Sequence, residues 1–223
     1  MSQVCAVTSC PHPTSGHSKY CSAHRHKVSR HGHPEQTAVT AYELKPFLRE
    51  VEARRKKDAT SAAWAILEGR WKGIVERAIE VLRVYEGGAP SISYEVEAAR
   101  IVQSVAGAVA PEAAINTALA MVVMWHRERG RFRSDDAFVH QLVKRVAALG
   151  PRAAGSSWDN KRQRVRMVYR DIPPRAVAVL GRQLIEAFSR AGVQLAELPQ
   201  QVAEKRREEN QQLDEAISAM GKA

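Results

Sequence analysis

The feature that most constrains the fold of this chain is a run of cysteine and histidine residues near its N-terminus. Residues 5–34 contain all three cysteines and six of the eight histidines, and they contain no aspartate or glutamate. Such a short segment holds too little apolar material to fold around a core of its own. Metal binding would therefore supply most of its folding free energy, on the order of 10 kcal/mol in small zinc modules.

Two short gaps in this segment select the ligands. A Cys-x4-Cys pair flanks a loop, and a Cys-x2-His pair suits a turn that enters a helix. Four nitrogen and sulfur ligands satisfy tetrahedral zinc at about 2.0–2.3 Å. The next candidate for the fourth ligand is His31, although the glycine and proline after it are more typical of a helix end. The sequence thus predicts one structural Zn²⁺ bound by Cys5, Cys10, Cys21 and His24.

This layout, with the basic stretch and His-Gly-x-Pro turn that follow, resembles a small zinc-finger segment of bacteriophage and mobile-element proteins. Some of those proteins are HNH-type endonucleases. The residues that match after the four ligands are Lys27, Arg30, His31, Gly32 and Pro34. An aromatic residue, a tryptophan and an aspartate are usual at the positions of Arg25, Val28 and His33. The resemblance covers about 30 residues and implies zinc-dependent binding of DNA.

The charge of the whole chain agrees with a polyanionic partner. The formal net charge is +10, from 34 basic and 24 acidic residues. Such an excess favours nucleic acid or an anionic membrane face. The most apolar stretch, 101–125, is interrupted by Pro111 and Glu112, which predicts two buried helices and no membrane partner. The N-terminus lacks the apolar core of a signal peptide, and three cysteines cannot all pair, so we expect a cytoplasmic protein.

Beyond residue 36 the apolar pattern is mainly helical. The clearest helix begins after Thr60 or Ser61 and carries apolar residues at three- and four-residue steps up to Tyr85. Its two tryptophans, Trp64 and Trp71, are expected in the core. Further helices are predicted over 42–57, 93–110, 111–129, 134–150 and 174–190, the last one ending at Gly192.

One stretch departs from the helical pattern. Residues 161–170 alternate between apolar and basic side chains, which favours a short β element with one basic face, and a short helix is the alternative. The stretch 151–160 is predicted to be a loop, so this strand has no evident partner. The predicted fold is mainly α, with a small zinc-binding module before a multi-helix domain. Its predicted divisions are a zinc module over 1–36, a helical domain over 37–150, a basic strand or helix subdomain over 151–194, and a C-terminal helical arm over 195–223.

Three basic clusters are candidates for contact with nucleic acid, because arginine and lysine neutralise phosphate and arginine reads guanine edges. DNA is the expected partner, and the residues do not separate it from RNA. Self-association or a protein partner is expected at the 60–86 helix or the C-terminal arm. The first cluster is Arg25, Lys27, Arg30 and His31; the second is Arg127, Arg129, Arg131 and Arg133; the third is Lys161, Arg162, Arg164, Arg166 and Arg170.

The catalytic motifs of common enzymes are missing from the sequence. There is no His-Glu-x-x-His helix, phosphate-binding glycine loop or serine-nucleophile elbow. His126 and His140 are the only histidines beyond residue 34. The sequence therefore predicts a non-catalytic, zinc-stabilised DNA-binding protein of a phage or mobile element, acting in regulation, replication or recombination. The alternatives are a protein–protein adaptor with a structural zinc and a divergent HNH-like endonuclease.

Overall fold

The computed structural model describes residues 4–14, 17–151, 153–159, 163–169 and 171–220 of the chain. The fold is mainly α, as the sequence predicts, and the cysteine–histidine segment precedes the helical body. The elements in order are α1 (Ser22–His31), α2 (Ala41–Lys57), α3 (Ala62–Glu86), α4 (Ser93–Ala108), α5 (Pro111–Arg127), a 3₁₀ turn (Arg129–Arg131), α6 (Asp135–Ala147), β1 (Ala153–Asp159), β2 (Arg164–Tyr169) and α7 (Pro174–Met220).

Helix α5 forms the centre of the helical body. Every residue from 114 to 124 is buried, so this helix is covered on all sides. It packs against α2, α3, α6 and α7, while α4 packs against α3 and α7. A helix that is apolar all round is expected at the centre of a large core. The remaining helices place one apolar face against α5 or its neighbours and leave the other face to solvent.

The helix starts follow local capping chemistry. The Thr40 side chain accepts a hydrogen bond from the Glu43 backbone, and the Glu43 carboxylate accepts one from the Thr40 backbone, which is a capping box. Ser61 caps α3 and Ser134 caps α6 through hydrogen bonds to backbone N–H groups. Pro111 occupies the first turn of α5, where its missing N–H costs no helical bond. The helix starts predicted at Ser61, Pro111 and Ser134 are therefore confirmed.

The predicted end of the last helix at Gly192 is wrong. Helix α7 runs without interruption from Pro174 to Met220. A Cβ atom at position 192 would lie 2.5 Å from Cβ of Val122 on α5. The glycine thus permits the close approach of α5 and α7 and does not end the helix.

The prediction of a loop over 151–160 is also wrong. Strand β1 lies in that stretch and pairs antiparallel with β2, with Trp158 opposite Val165 and Ser157 opposite Arg166. The expected β element near 161–170 therefore has its partner within the chain. The residues of β1 show no alternating apolar pattern, so this strand could not be recognised without its pairing partner β2.

Within the described residues, no single helix has both the length and the apolar character needed to cross a membrane. Helices α4 and α5 reach that threshold only when taken together, and they meet at a bend of 119°.

Candidate metal centre and basic helix

Four side chains converge at the start of α1. The ligand atoms of Cys5, Cys10, Cys21 and His24 all lie within 4.8 Å of one another. Cys5 and Cys21 are buried, whereas Cys10 and His24 are half-buried. These are the four residues predicted from the spacing, and the geometry is compatible with a zinc site.

The local backbone explains why the first two cysteines meet. Cys5 N–H donates to the His12 carbonyl at 3.1 Å, and Cys10 N–H donates to the Val7 carbonyl at 3.1 Å. Ser9, between the two cysteines, has a φ of 68°, which the tight turn requires and which few non-glycine residues adopt. The loop is thereby folded back so that both sulfur atoms face the same point.

The second pair is placed by the first turn of α1. Cys21 is the N-cap residue, with an extended backbone, and its side chain makes no capping hydrogen bond. His24 lies three residues further along, on the same side of the helix. The Cys21 sulfur and the His24 ring are therefore both directed at the loop formed by the first pair.

The distances match a tetrahedral metal site. His24 Nδ1 lies 3.4 Å from Sγ of Cys5 and 3.4 Å from Sγ of Cys21, and the Sγ atoms of Cys10 and Cys21 are 3.9 Å apart. Ligands bound at zinc distances would be separated by about 3.6 Å for nitrogen and sulfur and by about 3.8 Å for two sulfurs. A disulfide requires about 2.0 Å, and all three cysteines are free.

The electrostatics of the cluster favour a bound cation. Burial raises the pKa of Cys5, but N–H donors from the Cys21 and Val7 backbone and the His24 side chain outweigh it and hold that pKa at about 6. For Cys10, a backbone hydrogen bond at His12 lowers the pKa. Burial and the sulfurs of Cys21 and Cys5 outweigh that hydrogen bond, so the pKa of Cys10 is raised. Three adjacent thiolates repel one another, so a metal ion is the counter-charge that lets all of them ionise.

Helix α1 leaves the cluster with an exposed basic surface. Arg25 and Lys27 are exposed, and neither has an ion-pair partner among the residues that the structure describes. Arg30 forms an exposed ion pair with Asp171, with 3.1 Å between Arg30 Nε and Asp171 Oδ2. The first turn contains no acidic residue. As far as the described part of the chain goes, Arg25 and Lys27 are thus accessible to an external anion.

The C-terminal end of α1 docks on α6. Gly32, which has a φ of 79°, caps α1 by donating its N–H to the Val28 carbonyl. A Cβ atom at position 32 would lie 2.5 Å from the Asp136 carbonyl oxygen, so the two backbones are in direct contact. His31 is half-buried at this junction and is not among the residues of the metal cluster. His24, and not His31, is therefore the histidine of the site.

The second basic cluster is partly occupied by intramolecular contacts. Arg127 forms a bidentate pair with Glu50, at 2.6 and 2.8 Å. Arg131 donates to Glu43 at 3.0 Å and to the Ala38 carbonyl at 2.9 Å. Arg129 and Arg133 are exposed, without an ion pair within the described part of the chain. Contact of these four arginines with nucleic acid stays a prediction.

The third basic cluster lies mostly outside the described side chains. Lys161, Arg162 and Arg170 lie outside the described residues, and Arg164 and Arg166 are described as backbone positions of β2. Asp171, just after this stretch, forms the ion pair with Arg30, so the end of the hairpin segment approaches α1.

Sequence reasoning missed two buried glutamines that tie the N-terminal segment to the body. Gln36 donates to the Thr37 carbonyl and accepts from the Arg133 N–H at 3.1 Å. Gln141 on α6 accepts from the Val39 N–H at 2.9 Å and is 1% exposed. The available signal was a polar residue, Gln141, within the apolar run of α6.

Comparisons of the chain with protein-family models, with curated proteins and with solved structures gave no match.

Proposed function

We propose that this chain is a zinc-stabilised, non-catalytic DNA-binding protein, and that α1 is its principal contact with DNA. The observation that supports this best is the position of α1: its first turn is anchored in the four-ligand cluster, while Arg25 and Lys27 are exposed and form no ion pair with the residues that the structure describes. From the start of the chain to residue 34 there are four basic residues and no acidic one. A small, rigid and wholly basic module favours the phosphate backbone.

The exposed face of α1 has the residue arrangement expected of a groove-binding helix. At 100° per residue, Arg25 and Lys27 lie on opposite edges of the exposed face, and His26 and Ser29 lie between them. A helix in the major groove has phosphates on both sides and base edges beneath it. We therefore assign the two basic residues to phosphate contacts and the two polar residues to the groove floor.

The metal in this proposal is zinc. Three cysteine sulfurs and one histidine nitrogen form a closed N/S set, which is typical of structural zinc and leaves no open position for substrate. The ion would hold Cys5, Cys10, Cys21 and His24 together and so fix the start of α1. The ion would contribute folding free energy, and it would make none of the proposed contacts with DNA itself.

The resemblance of the N-terminal segment to zinc-finger segments of phages and mobile elements extends the proposal to biological setting. On that basis we infer a role in regulation, replication or recombination of such an element. Arg129, Arg133 and the basic residues of the hairpin segment would add phosphate contacts to those of α1. We assign no catalytic residue, and the cytoplasm of the host cell is the expected compartment.

The test is an electrophoretic mobility shift with zinc-loaded protein and a mixed-sequence DNA duplex, repeated in rising salt. Each lost phosphate contact lowers the log–log salt slope by about 0.9, so R25A/K27A should reduce it by about 1.8. The matched control is K45A/R49A, which removes two exposed positive charges from α2. Metal analysis should give about one zinc per chain in both variants and far less in a Cys21→Ser variant.

The outcomes separate the alternatives. Salt-insensitive or absent binding of the wild type to DNA would refute the proposal and leave the adaptor interpretation. Equal slopes for R25A/K27A and K45A/R49A would show that α1 is not the contact surface. Tighter binding to an RNA duplex of the same length would assign the partner to RNA. Nicking of a supercoiled plasmid in the presence of Mg²⁺ would favour the endonuclease.

A further inference from the structure

The junction between α1 and the helical body contains a buried amide with two defined partners. Oε1 of Gln141 on α6 accepts a hydrogen bond from the Val39 backbone N–H at 2.9 Å. Nε2 of the same side chain lies 3.3 Å from Nδ1 of His31, at the end of α1. One side chain thus joins α6 to both the last turn of α1 and the segment leading into α2.

The chemistry of these partners fixes the protonation state of His31. A backbone N–H can only donate, so the atom of Gln141 that faces Val39 must be the oxygen. The other end of the amide is then an NH₂ group, which can only donate. Nδ1 of His31 must therefore accept, which requires the neutral ring with its proton on Nε2. In the imidazolium form two donors would face each other, and the hydrogen bond would be lost.

The surroundings of His31 act in the same direction. Burial at the junction is the main cause that lowers its pKa, to about 4, and the charges of Lys144 on α6 and Arg30 on α1 lower it further, as does His140. Asp171 opposes these effects. Because the docked state holds fewer protons than the released state, docking is favoured at neutral pH and weakens as the pH falls from about 6.5 towards 4.

The other contacts of this junction do not replace that bond. Gly32 packs its backbone against Asp136 and Ala137, which gives close contact without a directional bond. The ion pair of Arg30 with Asp171 is more than half exposed on both sides, and such pairs contribute little. The hydrogen bond between Gln141 and His31 is therefore a directional link across the α1–α6 contact.

We propose that Gln141 and His31 form a latch that positions the zinc module on the helical body, and that protonation of His31 opens it. Gln141 is in this view a positioning residue, which acts on α1 through His31 and Val39. The latch does not depend on a nucleic-acid partner. Its consequence for DNA, a change in how α1 is presented below neutral pH, rests on the proposed function.

The experiment uses the zinc-loaded chain without nucleic acid. The key variant is Gln141→Glu. One carboxylate oxygen can still accept the hydrogen bond from the Val39 N–H, and the other can accept one from Nδ1 of His31 when that nitrogen carries a proton. The control is Gln103→Glu, which adds the same charge at an exposed position of α4. The His31 ring is titrated by NMR through its Cε1 resonance. Exchange of the Val39 amide is followed against that of the buried Val105 amide.

In the wild type and in Q103E we expect His31 to stay neutral down to about pH 5, and in Q141E its midpoint should rise by at least about 1 unit. Between pH 7 and pH 5 the released state, whose His31 takes up a proton near pH 6.5, becomes more populated although the docked state stays neutral. The protection of Val39 relative to Val105 should therefore fall roughly 10-fold in the wild type and remain in Q141E. An ordinary His31 titration near pH 6.5 in both proteins would overturn the latch. So would unchanged protection of Val39 in the wild type while the metal is retained and His31 is protonated.

Discussion

Substitution of Gly32 by alanine tests the direct contact between α1 and α6. Gly32 has a φ of 79°, a conformation that costs an L-residue about 1 kcal/mol. The added Cβ would also lie 2.5 Å from the carbonyl oxygen and 2.7 Å from the carbonyl carbon of Asp136, and 2.9 Å from the Ala137 nitrogen. These are backbone atoms of a helix start, which cannot rotate away as a flexible side chain would.

Gly88 provides a matched control within the same chain. Its φ is also 79°, but a Cβ atom there would meet no heavy atom within 4 Å. Gly88→Ala should therefore cost only the backbone term, about 1 kcal/mol. Gly32→Ala should cost that term plus the displacement of α1 from α6, a total of about 2–4 kcal/mol, since overpacking typically costs about 1–3 kcal/mol.

The assay is urea unfolding of the zinc-loaded proteins, with metal content measured in parallel and hydrogen exchange of the Val39 amide as a local readout. We expect Gly32→Ala to lower stability more than Gly88→Ala and to increase Val39 exchange while the zinc is retained. Equal losses in the two variants, with Val39 protection unchanged, would refute the contact between α1 and α6.

Two ion pairs of the helical body give further predictions. The pKa of Glu43 is lowered to about 2, chiefly by the Thr40 backbone hydrogen bond and also by Arg131, so the stability that it contributes is complete above pH 4.5 and lost as the pH falls towards 2. Glu43→Ala should cost about 1 kcal/mol at pH 7, as loss of a helix cap does, and nearly nothing at pH 2, as measured by urea midpoints. Arg127→Ala should cost about 1–2 kcal/mol through loss of the bidentate pair with Glu50, again as measured by urea midpoints.

Much of the fold could be predicted because the sequence signals of a helix lie within the helix and its flanking residues. The apolar steps of α3 and the capping residues Ser61 and Ser134 depend on neighbours within one or two turns, and both helix starts are as predicted. Predictions failed where the deciding contact is distant in sequence. Glycine ends many helices, but Gly192 lies against Val122, 70 residues earlier in the chain, and the helix continues past it. Strand β1 exists because β2 pairs with it.

The candidate site divides in the same way. The four candidate metal ligands could be chosen from spacing, because a metal ion demands donors that short turns bring together, and the structure places the same four within reach of one another. Spacing could not predict which basic residues form ion pairs within the chain. Arg127 and Arg131 look like Arg25 in the sequence, yet they pair with carboxylates more than 70 residues away.

The sequence by itself therefore determined the candidate metal ligands, the helical class and most helix boundaries of this protein, since each depends on residues close together in the chain. Tertiary structure alone decided how the metal module sits on the body. The seating depends on Gly32 meeting the backbone of Asp136 and on Gln141 reaching both His31 and Val39. Those contacts join positions about 100 residues apart, and no local pattern encodes them.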